Sequence, residues 1–282
     1  MPELPDLEVI AERLESLVCG RRIESVRCLR PGILKTLAPP LESLIGKELK
    51  GISRRGKFLI LSVDRALHMV VHLMRCGRFV ACMSNTKPTK ATALIVSFSD
   101  GEDLRLIENG PVKKAAVNLV VKPGDVEGIA EAGCEPISEE FTLERLLSMV
   151  EGRPRQAKKL LTDQRMMAGI GTAYADEILF DARISPVRYV SKLSSDETAR
   201  LHRSIRTVLS DAVEKIGSRT GERLPTEEIR DFLKVYKRTG EPCPACGTPI
   251  AEIRHSRTRT YYCPNCQTRG TAIPDRRSWM NR

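Results

Sequence analysis

The sequence has no apolar run long enough to cross a bilayer, and its first residues do not follow the pattern of a signal peptide. It also has no internal repeat and no long low-complexity tract. With 282 residues the chain can bury a sizeable core and is expected to form two domains plus a small module. We therefore expect a globular chain that does not enter a membrane.

The chain also lacks the cysteine distribution that is typical of a disulfide framework, although it has nine cysteines. Four of them cluster near the carboxyl terminus and the other five are scattered: Cys19, Cys28, Cys76, Cys82 and Cys134. This distribution is typical of a reducing cytosol with one metal site, and it argues against an oxidised, secreted protein. We therefore expect a cytoplasmic location.

Acidic residues are in short supply in the second half of the chain. The net charge is +10, and residues 151–282 supply +9 of it, with 25 Lys and Arg against 16 Asp and Glu. A basic half of this kind favours a polyanionic partner, most simply a nucleic acid. A basic surface that is merely solvated is the alternative.

The pattern along the chain indicates an α+β multidomain protein. An amphipathic helix follows Pro5, and short apolar runs separated by turns predict a β-sandwich or barrel up to about residue 121. The segment 122–138 contains two prolines and three glycines, and this composition indicates a linker. From residue 141 to about residue 235 the apolar positions recur at helical spacing.

The strongest local signal is a pair of Cys-x2-Cys motifs separated by sixteen residues. Four thiolates at this spacing predict one tetrahedral, structural Zn2+ rather than a catalytic one, because all four coordination positions are filled. Redox pairs or disulfides are the alternatives. The predicted ligands are Cys243, Cys246, Cys263 and Cys266.

The first residues carry a possible nucleophile. Removal of Met1 would leave Pro2 with a free secondary amine, and an α-amine titrates near ~8, so part of it is unprotonated and nucleophilic at neutral pH. Glu3, next to it, is a carboxyl group that could move protons. This pair is the chemistry of an imine-forming lyase, and a simple lead-in to the helix is the alternative.

A second possible site lies at the tight turn 169–172, directly before a helix expected to begin near Tyr174. Free backbone amides at such a turn, together with the helix dipole, can seat a phosphate. A plain helix–helix connector is the alternative. The turn residues that would contact the phosphate are Gly171 and Thr172.

Together these segments resemble the formamidopyrimidine-DNA glycosylase and endonuclease VIII family of base-excision repair enzymes. The resemblance rests on the order and spacing of five segments: Pro2-Glu3-Leu4-Pro5, Arg54-Arg-Gly-Lys57-Phe, Glu135-Pro-Ile-Ser138, 158–177, and Gly240-Glu-Pro-Cys243 with the second cysteine pair. The chain differs from the family pattern in several of them, and it is identified as a divergent member.

The resemblance implies an N-terminal helix plus β-sandwich, a helical helix-two-turn-helix domain and a C-terminal four-cysteine zinc finger. It also implies that Pro2 attacks the deoxyribose of a damaged nucleotide, that β- and δ-elimination follow, and that Glu3 protonates the sugar ring oxygen. Lys57 and Lys158 would grip phosphates around a flipped nucleotide. The partner would be damaged DNA, bound by a monomer that is associated with the nucleoid if the source is bacterial.

On this basis the chain is divided into five segments. They are an N-terminal catalytic β-sandwich domain (1–121), a linker (122–138), a helix-two-turn-helix DNA-binding domain (139–236), a zinc-finger hairpin (237–270) and a basic tail (271–282).

Several DNA-contact positions depart from the family pattern. Thr172 stands where asparagine is usual, and Thr258 stands where the finger arginine is expected. The flanking Arg257 and Arg259 are candidates to replace that arginine, but only if the hairpin bulges or slips, since adjacent residues of a strand face opposite sides. In the loop that normally inserts apolar side chains, Arg75 replaces methionine.

Two further departures concern the lesion. The segment 108–114 replaces the usual Asp-Pro-Arg-Arg-Phe-Gly, and the segment 231–236 runs almost directly into the zinc module, without the long loop that caps oxidised purines. We therefore expect an enzyme that is not a standard 8-oxoguanine glycosylase. The alternative is a DNA-damage-binding protein without glycosylase turnover; a zinc-ribbon transcription factor would explain the finger but not the amino terminus.

Overall fold

The computed structural model describes residues 1–64, 66–255 and 258–274. Two compact units are present: Met1–Ala132 with Val213–Glu228, and Gly133–Ala212 with the chain from Ile229 onward. Among the described residues, no helix is both long enough and apolar enough to cross a bilayer. The predicted candidate Arg257 and most of the basic tail, 275–282, lie outside the described residues.

Among the described residues up to Ala132, the first unit contains one α-helix and eight strands. Helix α1 (Leu4–Val18) begins with a capping box: the Glu3 carboxylate accepts from the Asp6 N–H, and the Asp6 carboxylate accepts from the Glu3 N–H. The strands are β1 (Ile23–Cys28), β2 (Leu49–Arg55), β3 (Phe58–Val63), β4 (Leu67–His72), β5 (Gly77–Met83), β6 (Thr92–Phe98), β7 (Glu102–Glu108) and β8 (Ala116–Val120).

These strands form two antiparallel sheets of four, with the orders β1-β6-β7-β5 and β2-β3-β4-β8. One apolar core joins them, because side chains of both sheets and of helix α1 belong to a single buried cluster that includes Leu14, Leu61 and Val96. The predicted β-sandwich with a packed N-terminal helix is confirmed.

The second unit is helical and ends in a small hairpin. Its helices include α2 (Leu143–Val150), α3 (Ala157–Thr162) and α4 (Thr172–Asp181), and the chain continues in α5 (Ser195–Thr220). The hairpin consists of β9 (Ala251–His255) and β10 (Thr258–Tyr262), followed by α6 (Pro264–Thr268). Helix α4 begins two residues earlier than expected, at the turn itself.

Candidate functional site

The carboxyl group of Glu3 is fixed beside the predicted nucleophile. Pro2 is buried at the start of helix α1, and Glu3 is only 5% exposed. The capping box holds the Glu3 carboxylate through the Asp6 N–H, so the side chain has a defined orientation at the helix start. A carboxyl group fixed next to residue 2 is placed to exchange protons with whatever residue 2 binds.

Lys57 lies at the turn between β2 and β3, close to Glu3. Gly56 has a positive φ of 56° there, and its carbonyl accepts from Arg54 Nη1 at 2.9 Å, which fixes the turn. Lys57 is 9% exposed. Burial lowers the pKa of the Lys57 ammonium, and the nearby Glu3 carboxylate opposes that shift. The first unit therefore brings together the three predicted catalytic residues, Pro2, Glu3 and Lys57.

His72, at the end of β4, joins this group and was not selected from the sequence. Burial, and secondarily the Lys57 ammonium, lower the His72 pKa to about 4, so the ring is neutral at physiological pH. Its Nδ1 accepts from the Met74 N–H at 3.0 Å, which assigns the ring proton to Nε2. A lone histidine at a strand end gave no sequence signal for this donor.

Arg75 stands at the exposed tip of the turn between β4 and β5. The turn is closed by a hydrogen bond from the Gly77 N–H to the Leu73 carbonyl at 2.9 Å. The neighbouring Cys76 carbonyl accepts from the Asn109 N–H at 3.2 Å, so this tip lies beside the loop that follows β7. The contact of Arg75 with DNA stays a prediction.

The loop after β7 is anchored by Glu108. This carboxylate is 2% exposed, accepts from the backbone N–H groups of Lys114 and Ala115 at 2.7 Å each, and pairs with Arg30. Glu108 therefore fixes the base of a segment whose sequence departs from the family pattern.

In the second unit, Gln164 shapes the turn before helix α4. Its Oε1 accepts from the Gly169 N–H at 2.9 Å, and its Nε2 donates to the Ile170 carbonyl at 2.7 Å. Gly171 is the N-cap of α4 and Thr172 is its first residue. The predicted turn is therefore held in place by a glutamine that the sequence did not indicate.

Lys158 connects three elements of the second unit. Its ammonium lies 2.7 Å from the Asp176 carboxylate on α4, and it donates to the Arg259 carbonyl and to Thr260 Oγ1 on β10 at 2.9 Å each. The pair is deeply buried, with Lys158 9% and Asp176 1% exposed. Burial raises the pKa of the Asp176 carboxyl, and the Lys158 ammonium opposes that shift. A phosphate would have to replace one of these three partners, so phosphate binding by Lys158 stays a prediction.

Lys158→Met is expected to lower the free energy of unfolding by about 3–5 kcal/mol, because it leaves the Asp176 carboxylate buried without its counter-ion. The double variant Lys158→Met/Asp176→Leu should recover most of that loss. Urea unfolding measures the stability of both variants, and equal stability of wild type and Lys158→Met would contradict the ion pair.

The double variant also tests whether Lys158 contacts a DNA phosphate. If it does, the slope of log K for DNA binding against log[salt] should become less steep by about 0.9 in the double variant than in wild type.

Strands β9 and β10 pair without a bulge in the described residues. Their register therefore determines the face of the hairpin on which each arginine lies. Thr258 pairs with His255 and Arg259 with Arg254, so Arg259 lies on the face opposite to Thr258. Arg259 Nε is 3.7 Å from Glu252 Oε1 on that face. The condition under which Arg259 would replace the family arginine, a bulge or slip, is not met here. A DNA contact of Arg259 stays a prediction.

A cleft of about 1010 Å³ lies within the second unit, between the start of α3 and the hairpin. Thr172 and Thr258 both line it, and the half-exposed ring of Tyr189 stands on its wall. The basic residues among those that line it are Arg155, Lys158, Lys159 and Arg254. The cleft thus joins the predicted phosphate turn to the Thr258 face of the hairpin.

The four predicted ligands of the metal converge at the base of the hairpin. Their Sγ atoms all lie within 4.8 Å of one another, and three of the separations are 3.4, 3.5 and 3.9 Å. These distances are too long for disulfides, whose sulfurs are ~2.05 Å apart, and they fit the ~3.8 Å edges of a tetrahedron with ~2.3 Å Zn–S bonds. Cys243, Cys246, Cys263 and Cys266 would therefore hold one structural zinc ion.

Comparison with known proteins extends over the same elements. The Formamidopyrimidine-DNA glycosylase N-terminal domain matches residues 1–109, the Formamidopyrimidine-DNA glycosylase H2TH domain matches 132–222, and the zinc finger found in FPG and IleRS matches 240–269. A formamidopyrimidine-DNA glycosylase of Pelotomaculum thermopropionicum is 34% identical over 95% of this chain and 99% of its own. One from Roseiflexus is 36% identical over 95% of this chain and 100% of its own.

This chain belongs to the formamidopyrimidine-DNA glycosylase family. The assignment confirms the resemblance, the fold class and the interpretation of the chain as a zinc-finger DNA glycosylase.

Solved structures of the family agree with the fold. A Lactococcus lactis mutant enzyme in complex with Fapy-dG-containing DNA has a TM-score of 0.85, 30% identity, and covers 95% of this chain and 100% of that one. The same organism's enzyme bound non-covalently to DNA with an AP site has a TM-score of 0.84, 28% identity, and coverage of 94% and 99%. Damaged DNA is thus the common partner of these family members.

Proposed function

We propose that this formamidopyrimidine-DNA glycosylase family member is a bifunctional enzyme, a base-excision glycosylase that is also an abasic-site lyase. The observation that carries the proposal is the Glu3 carboxyl group, buried and fixed by the capping box beside Pro2 and Lys57. An amine and a carboxyl group in adjacent positions supply the nucleophile and the proton donor that imine chemistry needs.

After loss of Met1, the lone pair of the Pro2 nitrogen forms a bond to C1′ of the damaged nucleotide. The base leaves with the electron pair of the glycosidic bond and takes up the proton that the Pro2 nitrogen loses. Glu3 protonates the ring oxygen as the Pro2 nitrogen attacks, the C1′–O4′ bond breaks, and an iminium ion remains between Pro2 and C1′. Loss of protons from the sugar then expels the 3′ and 5′ phosphates by β- and δ-elimination.

Two groups of donors would hold the phosphates of the substrate. Lys57 provides its terminal amino group and the neutral His72 ring an Nε2–H in the first unit. In the second unit, the backbone N–H groups at the start of the ten-residue helix α4, at Gly171 and Thr172, would form the anion seat. The zinc ion has no step in the reaction; it holds the hairpin in shape.

We propose that 8-oxoguanine opposite cytosine is not the preferred lesion. The chain between the end of α5 at Thr220 and the buried Leu233 has only twelve residues, and the segment 222–230 contains neither helix nor strand. Lys234 and Val235 follow at once, and their N–H groups are held by the Glu177 carboxylate at 2.8 Å each. Little chain is left to form a cap over an oxidised purine.

Single-turnover cleavage should therefore be at least about tenfold slower on 8-oxoguanine opposite cytosine than on an abasic site, which corresponds to the loss of roughly 1.4 kcal/mol of transition-state binding. The same oligonucleotide carrying a ring-opened purine or an oxidised pyrimidine provides the comparison, because those bases depend less on a purine cap. Comparable rates on 8-oxoguanine and on the abasic site would refute the lesion proposal. They would leave the glycosylase proposal intact.

One observation favours the alternative, a damage-binding protein without turnover. Thr258 lacks the charge of the family arginine, and Arg259 faces the other side of the hairpin. A mass spectrum of the purified protein separates the two functions. A binder has no need of a free Pro2 amine, so a retained Met1 would favour it, whereas the lyase requires that Met1 be absent.

A further inference from the structure

Glu228 contacts the amino terminus of the chain. Its Oε1 lies 3.2 Å from the α-amine nitrogen of Met1, and both residues belong to the first compact unit. Neither the sequence motifs nor the proposed chemistry so far gives Glu228 a role. The contact matters because Met1 is attached directly to the nitrogen atom that would become the nucleophile.

Met1 is bonded to the Pro2 nitrogen at the position that the sugar would take in the covalent intermediate. In the chain, the Pro2 nitrogen is bonded to the Met1 carbonyl carbon, and the partial double bond makes this linkage planar. In the iminium ion, the same nitrogen is joined by a planar double bond to C1′. The Met1 carbonyl carbon therefore lies where C1′ would lie. The Met1 Cα occupies one of the two in-plane positions that C2′ could take. The Met1 nitrogen then corresponds to an atom bonded to C2′.

We propose that Glu228 is the base that removes the C2′ proton in the β-elimination. A carboxylate oxygen 3.2 Å from the atom that marks a substituent of C2′ is within the reach that proton abstraction requires. This inference rests on the proposed lyase function, because it needs the iminium ion on Pro2. It assigns the elimination step to a residue that does not take part in forming that ion.

The step conserves atoms and electrons. A Glu228 oxygen forms a bond to the C2′ proton, and the electrons of the C2′–H bond form a C1′=C2′ double bond while the iminium nitrogen takes back its pair. The resulting enamine then expels the 3′ phosphate: the C3′–O bond breaks with its electrons, and a C2′=C3′ bond forms beside the restored iminium. Glu228 ends as a carboxylic acid and returns its proton to water.

Arg78 fixes this carboxylate. Its Nη2 lies 2.8 Å from the same Glu228 Oε1. The guanidinium is itself held, because Nε donates to the Thr226 carbonyl at 3.1 Å and Nη1 donates to the Gly77 carbonyl at 2.6 Å. A base that is oriented before the substrate arrives does not have to be ordered during the reaction.

Glu3 is not assigned the removal of the C2′ proton, because it already has a different part in the reaction. Its carboxyl group accepts the Asp6 N–H at the helix start, and in the proposed chemistry it protonates the ring oxygen of the sugar. Ring opening and C2′ deprotonation require a proton donor and a proton acceptor at different atoms. Two separate carboxyl groups, Glu3 and Glu228, meet that requirement.

Glu228→Gln separates imine formation from elimination. With an abasic-site duplex and excess protein, borohydride trapping should stay within about threefold of wild type, while strand cleavage without borohydride should slow by about 100-fold or more, the usual contribution of a general base. Glu227→Gln, a change at the exposed neighbouring residue, is the matched control and should match wild type in both measurements.

Unchanged cleavage by Glu228→Gln would overturn the assignment. An equal loss of trapping and cleavage would also overturn it, since Glu228 would then position the amine or support the fold instead of removing the C2′ proton. Failure of the wild-type protein itself to trap would show that the lyase function is absent. The wild-type reaction therefore distinguishes the failure of the proposed function from the failure of this inference.

Discussion

Removal of zinc is expected to weaken the binding of abasic-site DNA by about 100-fold or more. The hairpin consists of two five-residue strands, and its small apolar cluster is built largely around the cysteines, with Val235, Ile250 and Tyr261. So little buried area cannot order the module alone. Structural zinc supplies ~10–16 kcal/mol of apparent binding free energy in comparable modules, so the hairpin should unfold when the metal leaves.

Loss of the hairpin would also remove the Arg259 carbonyl and Thr260 partners of Lys158, and with them one side of the basic cleft. We expect affinity for an abasic-site duplex to fall by about 100-fold or more after chelation, and to return when zinc is restored; several lost phosphate contacts are enough for this. Fluorescence anisotropy alongside zinc analysis measures both quantities.

Cys266→Ser should behave like the chelated protein, whereas Cys82→Ser, a change at a half-buried cysteine on β5, should keep both zinc and affinity. A zinc-free protein that binds the duplex as well as the zinc-loaded one would show that the hairpin contributes nothing to DNA binding. That result would leave the first unit and the turn before helix α4 as the candidates for the interaction.

Glu3→Gln is expected to slow base excision by about 10²–10⁴-fold, the usual contribution of a positioned proton donor. The amide oxygen of glutamine can still accept the Asp6 N–H, so helix α1 should begin in the same place and stability should change little. DNA affinity should also stay close to that of wild type. Excision of a ring-opened purine under single-turnover conditions is the measurement.

Glu12→Gln is the matched control, because Glu12 lies on the exposed side of the same helix, where it pairs with Arg13. It should leave excision unchanged. An excision rate for Glu3→Gln within about tenfold of wild type would contradict the role of Glu3 and would require another proton donor near Pro2.

The local pattern of apolar residues, turn residues and cysteines was enough to predict most of the fold. The short apolar runs predicted up to about residue 121 coincide with strands such as β3 and β4. The zinc cluster followed from spacing alone, since ligand pairs close in sequence need only one long-range contact to meet. Helix α1 and its buried face followed from helical periodicity.

The supporting residues of the site could not be predicted, because long-range contacts define them. Asp176 meets Lys158 and the Tyr261 N–H across three elements of the second unit. Glu228 reaches the amino terminus across more than 200 positions of sequence. No local periodicity or spacing marks such a partner. The direction of Arg259 likewise depended on the register of the hairpin, which the sequence left open.

The central claim is that the Pro2 amine forms the covalent intermediate, and one measurement tests it most directly. The protein is incubated with an abasic-site oligonucleotide and borohydride, digested with protease, and the adduct is located by mass spectrometry. We predict that the reduced sugar is attached to the nitrogen of Pro2 in a chain that has lost Met1, and that Pro2→Gly traps far less. An adduct on a lysine such as Lys57, or no adduct on protein that is zinc-loaded and bound to DNA, would contradict the account.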